Sequence, residues 1–168
     1  MVHVLFICHG NICRSPMAEF LFRDMLRKKG LEQSFYIASA ATSREEIGNG
    51  VYPPAKEKLS SLGIDCCQKT ARQVTQQDYQ DFDYFLVMES YNARNLMTIL
   101  KEDPKNKVYR LLDFTHQPRD IADPWYSGDF DVTHLDIIEG LEAFLGFILK
   151  QQADSKKESI YPLNNTYN

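Results

Sequence analysis

The sequence has no apolar stretch long enough to span a membrane, and it contains only four cysteines and four histidines among 168 residues. The apolar run at its N-terminus is too short for a signal peptide, and no basic region precedes it. A net charge of −4 gives no general attraction to nucleic acid or to an anionic membrane. We therefore expect a cytoplasmic protein that binds neither nucleic acid nor membrane.

The four cysteines indicate neither a disulfide framework nor a metal site. They lie as Cys8 and Cys13, and as the adjacent pair Cys66 and Cys67. Without an export signal this number fits a reducing compartment. The spacing is not that of a zinc site, and no histidine pair completes one. We predict that no metal is bound and that Cys66 and Cys67 are structural.

The apolar pattern alternates short strands with helices, which favours an α/β fold with helices on both faces of a parallel sheet. Residues 39–43 are expected to form a small polar loop beyond the second strand, and residues 75–80 a short helix. Residues 1–152 are expected to form one domain, and the polar, aperiodic residues 153–168 a disordered tail. The four predicted strands are 2–7, 35–38, 84–88 and 108–112.

The segment from Cys8 to Pro16 is the most informative in the chain. It joins the first strand to a helix whose predicted start is Ser15, a capping hydroxyl, followed by Pro16. A loop between a strand and a helix N-terminus can direct several backbone N–H groups at a phosphate and favour the thiolate form of Cys8. Arg14 can add a bidentate contact to the same oxygens. Phosphoryl transfer to sulfur is the chemistry predicted.

Cleavage of a phosphate ester by a thiolate also requires an acid to protonate the leaving oxygen. Asp123 is the best candidate, because Pro124 stiffens its backbone and aromatic residues follow; Asp120 and Asp129 are alternatives in the same loop. The Cys8 loop, residues 39–43 and the Asp123 loop all follow predicted strands, and sites in parallel sheets form at those strand ends.

These features resemble the low-molecular-weight protein tyrosine phosphatases. The resemblance implies a four-stranded parallel sheet, no metal or organic cofactor, and hydrolysis of phosphotyrosine in phosphorylated proteins through a phosphocysteine, with inorganic phosphate released by a monomeric enzyme. It extends to about Lys150 and rests on Cys8-x5-Arg14-Ser15-Pro16, Ser39-Ala40-Ala41-Thr42-Ser43, Gly63-Ile64, Ala71-Arg72-Gln73, Phe82-Asp83-Tyr84 and Asp123-Pro124-Trp125.

The resemblance also assigns roles to individual residues. Cys8 is the nucleophile, Arg14 the phosphate clamp and Asp123 the general acid and then base. Cys13 can form a reversible disulfide with Cys8. Lys69 stands where animal members of the family have a histidine that joins the loop network. The residues predicted to bind substrate or to brace the loop that binds it are His9, Gly10, Asn11, Ile12, Cys13, Ser15, Ser39, Glu45, Trp125 and Tyr126.

Three other functions stay open. A protein-arginine phosphatase of the same fold carries a threonine at the position of Ile12. An arsenate reductase would need cysteines placed to pass a disulfide outward, and Cys66 and Cys67 lack that spacing. A phosphopeptide-binding module without catalysis would not need both Cys8 and Asp123. His9 and Glu45 depart from the family pattern, and an acidic Glu45 is expected to repel acidic phosphopeptides.

Overall fold

The fold is built on four short apolar strands that lie parallel in one sheet. The computed structural model describes residues 1–160, the last three by their backbone alone. The strand order is β2-β1-β3-β4, which confirms the predicted four-stranded parallel sheet. The strands are β1 (Val2–Cys8), β2 (Phe35–Ala41), β3 (Tyr84–Val87) and β4 (Val108–Arg110).

Helices cover both faces of the sheet, because successive side chains of a strand point to opposite sides. In β1, Val4 and Phe6 belong to one buried cluster, and Leu5 and Ile7 belong to the other. The first cluster lies under α1 (Arg14–Lys28), α2 (Pro53–Ser61) and α6 (Phe130–Ile160). The second lies under α3 (Asp78–Asp81) and α4 (Ser90–Leu100).

Several boundaries differ from the sequence prediction. Residues 39–41 are strand and not loop, because β1 continues to Cys8 and gives them partners, with Phe6 opposite Ser39 and Cys8 opposite Ala41. The short helix predicted at 75–80 occupies Asp78–Asp81. The segment predicted as an irregular loop after β4 contains a 3₁₀ turn and α5 (Pro124–Ser127).

Helix α1 begins at Arg14, and Ser15 is not its cap. No side chain of the described chain caps this helix at Cys13, the residue before it. The Ser15 hydroxyl instead contacts Asn11 and Cys8. The start of α1 therefore keeps backbone N–H groups of the kind that bind an anion.

The disorder predicted from residue 153 is wrong as far as Ile160, because α6 continues to that residue. Four of the eight residues 153–160 are alanine, lysine or glutamate, which favour helix even where no apolar face is needed. Residues 161–168 lie outside the described part of the chain. No helix within residues 1–160 is both long enough and apolar enough to cross a membrane.

Gly140 fits α6 closely against the 3₁₀ turn Leu111–Phe114. A Cβ added at Gly140 would lie 2.5 Å from Cγ of Leu111, a side chain with no exposed surface. Gly146 lies in the same helix, and a Cβ there would meet nothing within 4 Å. The two glycines are therefore a matched pair for testing this contact.

We expect Gly140→Ala to lower the free energy of unfolding by about 1–3 kcal/mol, because Leu111 must leave its packed position. Gly146→Ala should raise it by about 0.5–1 kcal/mol through helix propensity alone. Urea unfolding followed by circular dichroism measures both. Stabilisation by both substitutions would contradict the close packing.

Candidate active site

The loop between β1 and α1 turns at Asn11, which has a positive φ of 59°. Its side chain is buried and uses both ends of its amide. Oδ1 accepts a hydrogen bond from the backbone N–H of Arg72 at 3.2 Å, while Nδ2 donates to the hydroxyls of Ser15 at 2.8 Å and Ser39 at 2.9 Å. The network predicted between Asn11, Ser15 and Ser39 is therefore present, and it lies behind the loop.

The Cys8 sulfur receives two hydrogen-bond donors. The backbone N–H of Asn11 donates to Sγ at 3.3 Å, and the Ser15 hydroxyl lies 3.0 Å from it. Because Ser15 Oγ already accepts from the Asn11 amide, its own hydrogen is available for the sulfur. Two donors, one from the backbone and one from a side chain, therefore meet at this sulfur.

The network continues from Ser39 to a buried group of charges. Ser39 Oγ donates to the carboxylate of Glu19 at 2.5 Å, and Arg23 contacts the same carboxylate at 2.8 Å. Lys69 lies 3.4 Å from Glu19 and donates to the Ser39 carbonyl at 3.0 Å. Burial lowers the pKa of Lys69, and the charge of Glu19 opposes this shift. Glu19 is only an acceptor, so it directs the hydroxyl of Ser39 towards itself.

Arg14 is almost wholly buried, and three groups aim its guanidinium. Nη1 donates to Glu89 at 2.9 Å and to the Ile121 carbonyl at 2.8 Å, and Nη2 donates to Asp123 at 3.2 Å. Glu89 lies two residues after the end of β3 and caps α4. Asp123 also caps α5 by accepting from the backbone N–H of Trp125 at 3.0 Å. The predicted clamp and the predicted acid are therefore in direct contact.

The three candidate acids have different environments. Asp120 accepts hydrogen bonds from Ser90 and Arg110. Burial alone would raise the pKa of Asp120, but these bonds outweigh it and hold the pKa below its usual value. Asp129 accepts from the backbone N–H of Val132 at the start of α6. Only Asp123 lines the pocket beside Cys8, so the structure favours it over the other two.

Cys13 lines the same pocket as Cys8 and is also buried. Burial, followed by the charges of Cys8 and Asp123, raises the pKa of the Cys13 thiol to about 12. Cys13 therefore remains a neutral thiol at physiological pH. Neither Cys66, which is buried, nor Cys67, which is exposed, is among the residues that line this pocket.

The pocket is an open cavity of about 870 Å³ at the carboxyl ends of the strands. One wall carries Trp125, whose ring centre lies 4.8 Å from that of Tyr52, and the more exposed Tyr126. Asn11, Ser15 and Ser39 are buried and do not line the cavity. The predicted residues that do line it are Cys8, His9, Gly10, Ile12, Cys13, Arg14, Glu45, Asp123, Trp125 and Tyr126.

Four contributing residues were missed in the sequence. Glu89 directly follows a predicted strand, a signal that could have identified it. Glu46 and Tyr91 line the pocket, but their sequence positions give no such signal. Glu19 gives only the i,i+4 spacing to Arg23, which exposed helix faces also show.

Comparison with known proteins gives a consistent result. The family model described as "Low molecular weight phosphotyrosine protein phosphatase" matches residues 3–158. The low molecular weight protein-tyrosine-phosphatase YfkJ of Bacillus subtilis is 40% identical over 154 residues, which covers 90% of this chain and 99% of YfkJ. The human low molecular weight phosphotyrosine protein phosphatase is 35% identical over 147 residues, 84% of this chain and 92% of that protein.

Solved structures extend the comparison. The crystal structure of YfkJ superimposes with a TM-score of 0.86 and covers 90% of this chain and 96% of its own. The Drosophila arginine phosphatase superimposes with a TM-score of 0.77 at 29% identity, covering 86% of this chain and 96% of that one.

The Glu19→Gln substitution tests whether Glu19 fixes the direction of the hydrogen bonds in the buried network of Ser39, Asn11 and Ser15. Glutamine keeps the size of the side chain but adds an amide donor, so the Ser39 hydroxyl is no longer forced to donate towards it. We expect alkylation of Cys8 by iodoacetate at neutral pH to slow by about tenfold, which corresponds to one lost hydrogen bond to a charged sulfur. Mass spectrometry of the Cys8 peptide gives the rate.

Glu32→Gln is the control for this measurement, because Glu32 is exposed and lies outside the pocket. It should react at the rate of the unmodified protein. An equal rate in Glu19→Gln would show that Glu19 does not influence the sulfur.

Proposed function

Because this chain belongs to the low molecular weight phosphotyrosine protein phosphatase family, we propose that it hydrolyses phosphotyrosine in phosphorylated proteins through a phosphocysteine on Cys8. One observation carries the proposal. Cys8, Arg14 and Asp123 come from distant positions in the chain and line one pocket beside a loop that forms a phosphate site. A thiol, a guanidinium and a carboxylate are the groups that phosphoryl transfer to sulfur requires.

The substrate's phosphate binds in the loop from His9 to Arg14. Backbone N–H groups and the start of α1 favour its negative charge. The Arg14 guanidinium, already held by Glu89 and Ile121, pairs with phosphate oxygens. The tyrosine ring then extends along the aromatic wall of Trp125.

In the first step the Cys8 thiolate attacks phosphorus. The sulfur–phosphorus bond forms as the bond between phosphorus and the phenolic oxygen breaks, and Asp123 gives its proton to that oxygen. In the second step Asp123 takes a proton from water as the water oxygen attacks phosphorus. The sulfur–phosphorus bond breaks, inorganic phosphate leaves, and the Ser15 hydroxyl donates a hydrogen bond to the departing thiolate.

The enzyme acts as a monomer in a reducing compartment such as the cytoplasm. All three reacting groups belong to one chain, so no second copy is needed to complete the site. A nucleophilic thiolate also needs an environment that keeps it reduced. Cys13, in the same pocket, serves as the disulfide partner of Cys8 under oxidation.

Phosphoarginine is the second substrate considered, because an arginine phosphatase is among the similar structures. The apolar side chain of Ile12 lines the pocket and carries no hydroxyl that could position water. This favours a flat aryl ester over phosphoarginine. Phosphotyrosine and phosphoarginine peptides of the same sequence, compared by phosphate release, separate the two.

Cys8→Ser should abolish the release of p-nitrophenol from p-nitrophenyl phosphate, because a serine hydroxyl is a far weaker nucleophile than a thiolate. The unmodified protein should turn over this compound in the presence of EDTA. Absorbance of p-nitrophenolate follows the reaction. No turnover by the unmodified protein would reject the phosphatase function, and full activity of Cys8→Ser would reject the phosphocysteine.

Asp123→Asn should slow the hydrolysis of phenyl phosphate by about 100-fold or more, the usual contribution of a general acid. Hydrolysis of p-nitrophenyl phosphate should slow much less, because p-nitrophenolate leaves without a proton. Steady-state kcat values for the two esters measure the difference. Equal slowing of both would contradict the acid role of Asp123.

A further inference from the structure

We propose that Glu45, at the mouth of the pocket, selects phosphotyrosine sites that carry a lysine or arginine next to the phosphorylated residue. This inference rests on the proposed phosphotyrosine hydrolysis and adds the chemical class of substrate. It follows from the position of Glu45, from the fixed segment that carries it, and from the charges around it.

The segment that carries Glu45 is tied to the phosphate-binding loop. The backbone N–H of Thr42 donates to the Cys8 carbonyl, and that of Ser43 donates to the His9 carbonyl, both at 3.0 Å. The His9 ring then contacts the carboxylate of Glu45 at 3.0 Å. Glu45 is therefore held at a fixed place relative to Cys8, although its side chain is 70% exposed.

The charge of Glu45 is not cancelled by a lysine or arginine. Within the described part of the chain its ion-pair partner is His9, and Glu46 beside it accepts from the neutral amide of Asn49. The single guanidinium that lines the pocket, that of Arg14, already contacts Glu89 and Asp123. The bound phosphate then takes up the charge of Arg14. Arg44, the neighbour of Glu45 in the chain, is exposed but does not line the pocket, whereas Glu45 and Glu46 both do, so the mouth at these two residues stays negative.

The mouth is asymmetric in charge. Tyr91 stacks near His9, with 6.4 Å between ring centres, and the Arg94 guanidinium lies 5.9 Å from the centre of the Tyr91 ring. A cation on the substrate is thus attracted towards Glu45, and Arg94 opposes this attraction on the side of Tyr91. With the phosphate bound in the loop from His9 to Arg14, we expect the residues next to the phosphotyrosine in the peptide to lie at this level.

The test compares kcat/KM for two pairs of phosphotyrosine peptides. The members of each pair differ only by lysine or glutamate, placed before the phosphotyrosine in one pair and after it in the other. In at least one pair we expect the lysine peptide to be favoured by on the order of tenfold at low salt, because attraction replaces repulsion at an exposed carboxylate. High salt should reduce this ratio.

Two variants assign the preference to Glu45. Glu45→Lys should reverse the preference towards the glutamate peptide. Glu142→Gln removes one negative charge from an exposed position on α6 outside the pocket, and it should keep the preference of the unmodified protein. Retention of the lysine preference in Glu45→Lys would overturn the proposal.

p-Nitrophenyl phosphate separates failure of this inference from failure of the proposed function. This compound carries no flanking residue, so the unmodified protein should hydrolyse it whatever the charge preference. Suppose that p-nitrophenyl phosphate and the peptides are all hydrolysed. If the two peptides of each pair then have equal kcat/KM, or if the glutamate peptide is preferred, Glu45 does not select cationic sites. If neither p-nitrophenyl phosphate nor any peptide is hydrolysed, the phosphatase function itself is wrong.

Discussion

Asn11 holds the phosphate-binding loop in a left-handed backbone conformation that residues with a Cβ seldom adopt. That conformation costs roughly 1–2 kcal/mol, and three hydrogen bonds of its amide, two donated and buried and one accepted and partly buried, each contributing about 0.5–1.5 kcal/mol, are enough to offset it. The partners of this amide come from α1, from β2 and from the backbone at Arg72. The curvature of the loop therefore depends on the assembled fold as well as on the asparagine within the loop.

Arg14 and Asp123 are also held in place by partners that are distant in the sequence. Arg14 is the first residue of α1, yet its guanidinium is aimed by Glu89 after β3 and by the Ile121 carbonyl. Ile121 in turn donates its N–H to the Met88 carbonyl at 2.9 Å. The segment that carries Asp123 is thus fixed to the same edge of the sheet as the guanidinium. This shared anchoring holds Arg14 and Asp123 in contact at the pocket that Cys8 also lines.

The sequence was sufficient for the sheet and for choosing Cys8, Arg14 and Asp123 as candidate residues that the structure brings to one pocket, because apolar strands and a strand–loop–helix junction are local patterns. It failed for residues whose structure or role depends on contacts with distant parts of the chain. Ser15 has the spacing of a helix cap, but the proximity of Asn11 and Cys8 gives its hydroxyl a different role. Ser39 was placed in a loop because its small polar neighbours hide the strand pairing with β1. Glu19 could not be found, since its buried partner Lys69 is fifty residues away along the chain and only folding brings them together.

The direction of α6 determines where the described part of the chain ends relative to the pocket. The helix starts at Phe130, whose ring lies near Tyr52 on the pocket side, and it reaches the start of β3 where Gln151 accepts from the Tyr84 hydroxyl. Its last eight residues, 153–160, continue for about 12 Å beyond that contact. Since β1 also starts at this edge, Met1 and Lys157 both lie on the side of the molecule opposite the cavity, and both are exposed. A surface linkage made at either of these two residues would leave the cavity open to large protein substrates.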